Sequence, residues 1–173
     1  MTKPRFRQVQ NEQGERGPFI VFLIHGRSDD WKAVKAFITR KLRMQTKVLV
    51  AEYSGGTLID KVRKSMWLEC DCAVAILSAD DVLANRQRNA RPNVHFEIGY
   101  CMGFFDYRYW EDNDIEPVIL IKEDATQLPS DFHGIEYIEY SRKKGRGGIK
   151  ESFGPLEQGL ERVFAAVHEY FEE

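Results

Sequence analysis

Three uninterrupted apolar runs constrain this chain more than any other feature: FIVFLI at 19–24, CAVAIL at 72–77, and PVILI within 116–121. A strand with one wet face alternates apolar and polar residues, so runs without alternation point to strands buried on both faces, as in a parallel sheet covered by helices. The segments between them have helical spacing. Ser28 can cap a helix over 29–43 in which Trp31, Val34, Phe37, Ile38 and Leu42 share a face, and its acidic first turn suits the helix dipole. A second strand lies within 47–52, followed by a loop at 53–56 and a helix from 57 to about 68, with Thr57 as N-cap and Asp60 at its third position. IEYIEY, within 134–140, alternates as an edge strand does. A last helix over 156–171 turns Leu156, Leu160, Val163, Phe164 and Val167 inward. These elements predict an α/β fold: a flavodoxin-like, doubly wound, five-stranded parallel sheet of order 2-1-3-4-5, with ligands gathering at the carboxyl ends of strands 1 and 3.

With 173 residues, 43% of them hydrophobic, one core is expected, divided into a polar tail at 1–18 and a single domain at 19–173. The charge is nearly balanced, 25 basic against 27 acidic residues, so no global field favours nucleic acid or an anionic membrane as partner. The polar N-terminus resembles no secretory signal and no apolar run is long enough to span a bilayer, so a cytoplasmic location is expected. Cys70, Cys72 and Cys101 read as buried thiols. A zinc site from these three and His95 lacks the usual two-residue spacer, so no metal is expected. His133 and His168 read as surface or structural histidines. The polar, arginine-rich loop at 78–93 is long for its place, while SRKKGRGGIK at 141–150 reads as a flexible, solvated basic loop.

Glu97 is the first candidate for chemistry. It is a single carboxylate within the apolar stretch NVHFEIGYCMGFF, on one helical stripe with Asn93, Tyr100 and Phe104. Burying an unpaired carboxylate costs several kcal/mol by order of magnitude, so a fold that keeps one uses it or pairs it; Arg88 and Arg91 are the cations at hand. Three loops leave the carboxyl ends of strands 1 to 3 on the same rim: His25, Gly26, Arg27; Tyr53, Ser54, Gly55, Gly56; and Ser78 to Asp81. The glycines permit close backbone approach to a ligand, and Arg27 suits bidentate contact with pyrophosphate. GxGxxG and Walker loops are absent, which removes the usual support for redox Rossmann chemistry and phosphoryl transfer. Ser78, His25 and Asp80 lack the elbow of a nucleophilic triad. A lone carboxylate over a glycine-rich cleft suits cleavage of an N-glycosidic bond whose leaving group departs as a neutral base, because only the oxocarbenium charge and the attacking hydroxyl then need assistance.

Read in order, IVFLIHGRSDDWKAVKAFI, SGGTLIDK, CAVAILSADDV, RPNVHFEIGYCMG and VILIKEDATQLPSDFHGIEYIEY resemble the bacterial TIR-like family that includes the TIR parts of CBASS and Pycsar antiphage effectors. The likeness runs from about 19 to 140. It implies a TIR fold and an NAD⁺ glycohydrolase with Glu97 at the catalytic position and NAD⁺ as substrate rather than cofactor. The substrate-binding residues it implies are His25, Gly26, Arg27, Tyr53, Gly55, Gly56, Thr57, Ser78, Asp80, Asn93 and Tyr100. Asn93 stands where animal-type catalytic TIR domains carry tryptophan, so the aromatic wall is sought at Tyr53 or Tyr100. The resemblance also implies activation by self-association into an oligomer or filament, and a fused or separate sensor of a cyclic nucleotide. A non-catalytic TIR adaptor or nucleotide-binding module, and a nucleoside deoxyribosyltransferase-like enzyme, remain alternatives.

Overall fold

The central strand, β3 (Cys72–Leu77), is buried along its whole length, as its unbroken apolar run requires. On one side it pairs in parallel with β1 (Ile20–His25), and β1 in turn with β2 (Gln45–Val48). On the other side it pairs with β6 (Val118–Glu123), and β6 with the edge strand β8 (Tyr137–Tyr140). This computed structural model describes residues 17–48, 57, 60, 62, 70–109, 115–132 and 134–172. Its five-stranded sheet, of order β2-β1-β3-β6-β8, is the doubly wound parallel arrangement that the apolar runs predict. Three two-residue strands, β4 (Asp81–Val82), β5 (Arg88–Asn89) and β7 (Thr126–Gln127), form a second small sheet above the carboxyl ends. Strands this short carry no periodicity, and the loop at 78–93 gave no sign of them.

Among the described residues, the helices α1 (Asp30–Arg40), α2 (Pro92–Arg108) and α3 (Phe153–Glu172) flank the sheet, and Asp60 and Val62 are also helical. The β1 and β3 crossovers run in opposite directions from the centre, so right-handed connections put α1 and α2 on opposite faces. Stacking of Phe37 on Phe153, with ring centroids 4.3 Å apart, sets α1 and α3 on the same face. Asp29, not Ser28, is the N-cap of α1, although the Ser28 hydroxyl accepts a hydrogen bond from the Asp30 amide at 3.1 Å. Along α3, Leu156, Leu160, Val163 and Val167 are buried as expected, but Phe164 is 41% exposed and rests edge-on against Phe19, with centroids 5.2 Å apart.

Two departures matter for the rim. β6 continues through Lys122 and Glu123, which the apolar pattern excludes from a buried strand. Both are nonetheless buried, because partners satisfy them: Lys122 donates to Glu139 at 3.0 Å, and Glu123 accepts from the Ala79 amide at 2.8 Å. The basic segment after β8, expected as a flexible loop, forms 3₁₀ turns over Arg142–Ser152. There Gly148 lies against the Ser141 carbonyl oxygen so closely that a Cβ would sit 1.9 Å from it. Among the described residues, no helix is long and apolar enough to cross a membrane.

Candidate active site

Helix α2 is oriented by its two ends. It begins three residues beyond β5, at the carboxyl rim of the sheet, and ends at the opposite edge. There the Arg108 guanidinium donates to the Cys70 carbonyl and lies 3.5 Å from Asp71, while the Tyr109 hydroxyl donates to the Asp71 carbonyl at 2.9 Å. At 1.5 Å per residue, Glu97 stands about 16 Å from Arg108, which is about the length of β3. Glu97 is therefore level with the carboxyl ends of the strands.

The Glu97 side chain is 7% exposed, between exposed Asn93 and half-buried Tyr100 on the same stripe. Among the described residues its carboxyl group accepts no hydrogen bond and has no cation within 4 Å; Arg91 acts on it only through longer-range attraction. Burial pushes its pKa up to about 7, with Arg91 opposing the rise. A carboxyl group with that pKa exchanges its proton near neutral pH, as a general base should. One turn further on, burial raises the Cys101 thiol, and the Glu97 charge raises it further.

The other half of the rim comes from the loops after β1 and β3. Asp80 accepts hydrogen bonds from the Arg27 amide at 2.7 Å and the Ser78 hydroxyl at 3.1 Å, which joins the two loops. Gly26 makes this possible, since a Cβ there would lie 1.8 Å from the Asp80 carboxylate. The Arg27 side chain is exposed, with Asp81 3.8 Å away, so its guanidinium can turn to an anion above the rim. Ser78 is buried and its hydroxyl donates to Asp80, which fixes the shape of the loop. The His25 Nδ1–H donates to the Gly26 carbonyl at 2.7 Å, and burial lowers the His25 pKa against the raising effects of Gly26 and Asp80. The imidazole is neutral at pH 7 and stacks on Trp31, with centroids 4.4 Å apart.

The CAP12/Pycsar effector protein TIR-domain family matches residues 20–142, a span that takes in every strand of the main sheet and the whole of this rim. The chain belongs to that family. The Pycsar effector protein PaPycTIR of Pseudomonas aeruginosa is 31% identical to this TIR domain over 99 residues, covering 56% of this chain and 30% of that protein. The matched stretch is thus under a third of the relative's length.

The structure of this TIR domain joins His25, Gly26, Arg27, Ser78 and Asp80 at one rim and sets Glu97, Asn93 and Tyr100 on the helix that rises to it. Tyr53, Gly55 and Gly56 lie outside the described residues, as does His133. Thr57 acts as a cap: its hydroxyl accepts from the Asp60 amide at 3.2 Å, while the Asp60 carboxylate accepts from the Thr57 amide at 3.0 Å. Trp31 packs against the core from α1 and also supplies an aromatic surface at the rim beside His25. Its helical spacing fits both positions, so the sequence carried no signal to separate them. All three cysteines are buried, and among the described residues no three His, Cys, Asp or Glu side chains gather to hold a metal. A cavity of about 460 Å³ lies elsewhere, between β6, β8 and α3, lined by Ile119, Tyr137, Ile138, Gly159 and Val163. Neither Glu97 nor any of the rim residues His25, Arg27, Ser78 and Asp80 lines it.

Proposed function

We propose that this TIR domain cleaves the nicotinamide–ribose bond of NAD⁺ as the catalytic part of an antiphage effector. One observation carries the reading: Glu97 is a buried carboxylate without a hydrogen-bond donor among the described residues, at the carboxyl rim of a parallel sheet where ligands collect. Nicotinamide leaves the dinucleotide as a neutral base and takes the bonding electron pair with it. The ribose left behind carries oxocarbenium charge, which the Glu97 carboxylate stabilises before it accepts a proton from the attacking hydroxyl. A low-dielectric surround strengthens that attraction. Trp31 and His25 offer a flat face for a ring, and Arg27 a fork for the pyrophosphate. NAD⁺ is then substrate, and no separate cofactor is needed.

Release of nicotinamide from NAD⁺ by purified protein, compared with the Glu97→Gln variant, tests the reading. Exchange of a nucleobase without NAD⁺ loss would indicate a deoxyribosyltransferase, and NAD⁺ binding without turnover a nucleotide-binding module. Arg27→Ala should raise KM for NAD⁺ about tenfold with kcat little changed, since it removes binding that substrate and transition state share. A drop in kcat at unchanged KM would remove Arg27 from phosphate recognition.

The proposal extends to control. A cyclic nucleotide signal, sensed by a fused or separate part, would bring copies of the domain together, and turnover per subunit should rise when the protein is concentrated or artificially clustered. Equal turnover in dilute monomer and in clusters rules this control out without touching the role of Glu97.

A further inference from the structure

Four loops leave the carboxyl ends of β1, β3, β6 and β8, and polar contacts join them in a closed circuit. The Arg27 amide donates to Asp80 at 2.7 Å, which links the first loop to the second. The Ala79 amide, in that second loop, donates to Glu123 at the end of β6 at 2.8 Å. Arg142, just past β8, reaches Glu123 from its Nε at 3.7 Å. The same guanidinium donates to Asp30 from Nε at 3.0 Å and Nη2 at 2.6 Å, and from Nη2 to the Ser28 hydroxyl. Ser28 and Asp30 are the far end of the first loop, where the circuit closes. Tyr140, buried beneath, donates its hydroxyl to Asp30 at 2.8 Å.

We propose that Arg142 is a positioning residue of the site: by bridging Asp30 and Glu123 it holds the loop carrying His25 and Arg27 at a fixed distance from the loop carrying Asp80. The inference rests on the NAD⁺-cleaving reading for its kinetic consequence but not for its geometric one. Glu123 is 4% exposed and Asp30 half-buried, and both approach the same guanidinium nitrogen. Without the cation, two carboxylates face each other in a poorly solvated place and push apart. Each is bonded to a different loop, so their separation moves the loops. The core depends little on this circuit, because the strands are already fully paired and packed around β3. Lysine keeps the charge but lacks the planar fork, so it can satisfy one carboxylate well and not both.

The test uses Arg142→Ala, Arg142→Lys and the double variant Arg142→Ala with Glu123→Gln. Amide exchange of the ligand-free proteins is read first. In Arg142→Ala the Arg27 and Ala79 amides should exchange about tenfold faster or more, while Val74 to Ile76 keep their protection, which separates local loosening from unfolding. Arg142→Lys should fall between wild type and alanine, and the double variant should recover part of the loss because the uncompensated charge is gone. Steady-state kinetics should show KM for NAD⁺ raised about tenfold with kcat within about threefold, since Glu97 lies outside the circuit. Unchanged protection at Arg27 and Ala79 in the alanine variant overturns the proposal, as does loss of protection spread evenly over β3. If wild type and Glu97→Gln turn over NAD⁺ alike, the catalytic reading fails, and amide exchange still decides the role of Arg142.

Discussion

Glu97→Gln is expected to lose NAD⁺ cleavage by at least about a hundredfold while folding into a more stable protein. The loss follows from removing the anion that faces the developing ribose cation; a neutral amide neither stabilises that charge nor accepts a proton. The gain follows from linkage. In the unfolded chain Glu97 titrates near 4.5, whereas in the folded protein burial holds its pKa at about 7. Between those values the folded state keeps a proton that the unfolded state has released, so stability falls as pH rises through this window and levels off above about 7. The burial penalty in full is on the order of 3 kcal/mol. Glutamine never bears it, so urea or thermal denaturation should show the variant ahead of wild type at pH 8 and level with it near pH 4.5. Wild-type turnover should climb with pH through about 7, as the working carboxylate forms. A variant that keeps wild-type turnover, or one destabilised at pH 8, contradicts the assignment of an unpaired buried carboxylate.

Gly26→Ala should be the most damaging change on the opposite side of the rim. The new Cβ would fall 1.8 Å from the Asp80 carboxylate, which is itself held by the Arg27 amide and the Ser78 hydroxyl. Asp80 must leave, and both bonds go with it. Hydrogen bonds to a charged acceptor are worth about 1.5–3 kcal/mol each, and the one from the Arg27 amide is exposed and so weaker, so a loss of about 2–4 kcal/mol of stability is expected, with KM for NAD⁺ raised tenfold or more. Adding Gly26→Ala to Asp80→Ala should cost little beyond Asp80→Ala alone, because the clash no longer exists. If Gly26→Ala unfolds in urea at the wild-type midpoint, the close approach of the two loops does not have the structural weight assigned to it.

Much of this was legible in the chain itself, for reasons that are local. Unbroken apolar runs marked β1, β3 and β6 because a strand covered on both faces needs no polar alternation, and the alternating IEYIEY marked β8 as the edge. The reciprocal cap between Thr57 and Asp60 follows from a three-residue spacing. Glu97 stood out because a carboxylate in an apolar helix is costly wherever that helix packs. The lateral face of Phe164, by contrast, was misjudged by helical spacing, which marks a stripe but not its width.

What the sequence by itself determined is the sheet, its order and the buried carboxylate on the helix at its rim, since each depends on periodicity or on the cost of burying a charge. Only the tertiary structure decided how that rim is held. Trp31 meets His25, Glu123 meets the Ala79 amide, and Arg142 crosses to Ser28 and Asp30 from the far end of the domain. These residues lie on separate elements with no shared spacing, and a basic segment such as SRKKGRGGIK reads as solvated until the fold shows which of its cations faces the buried Glu123 and half-buried Asp30. Hydrogen bonds and ion pairs act over a few ångströms in space, so when their partners are distant along the chain, the packing of the sheet alone brings them together.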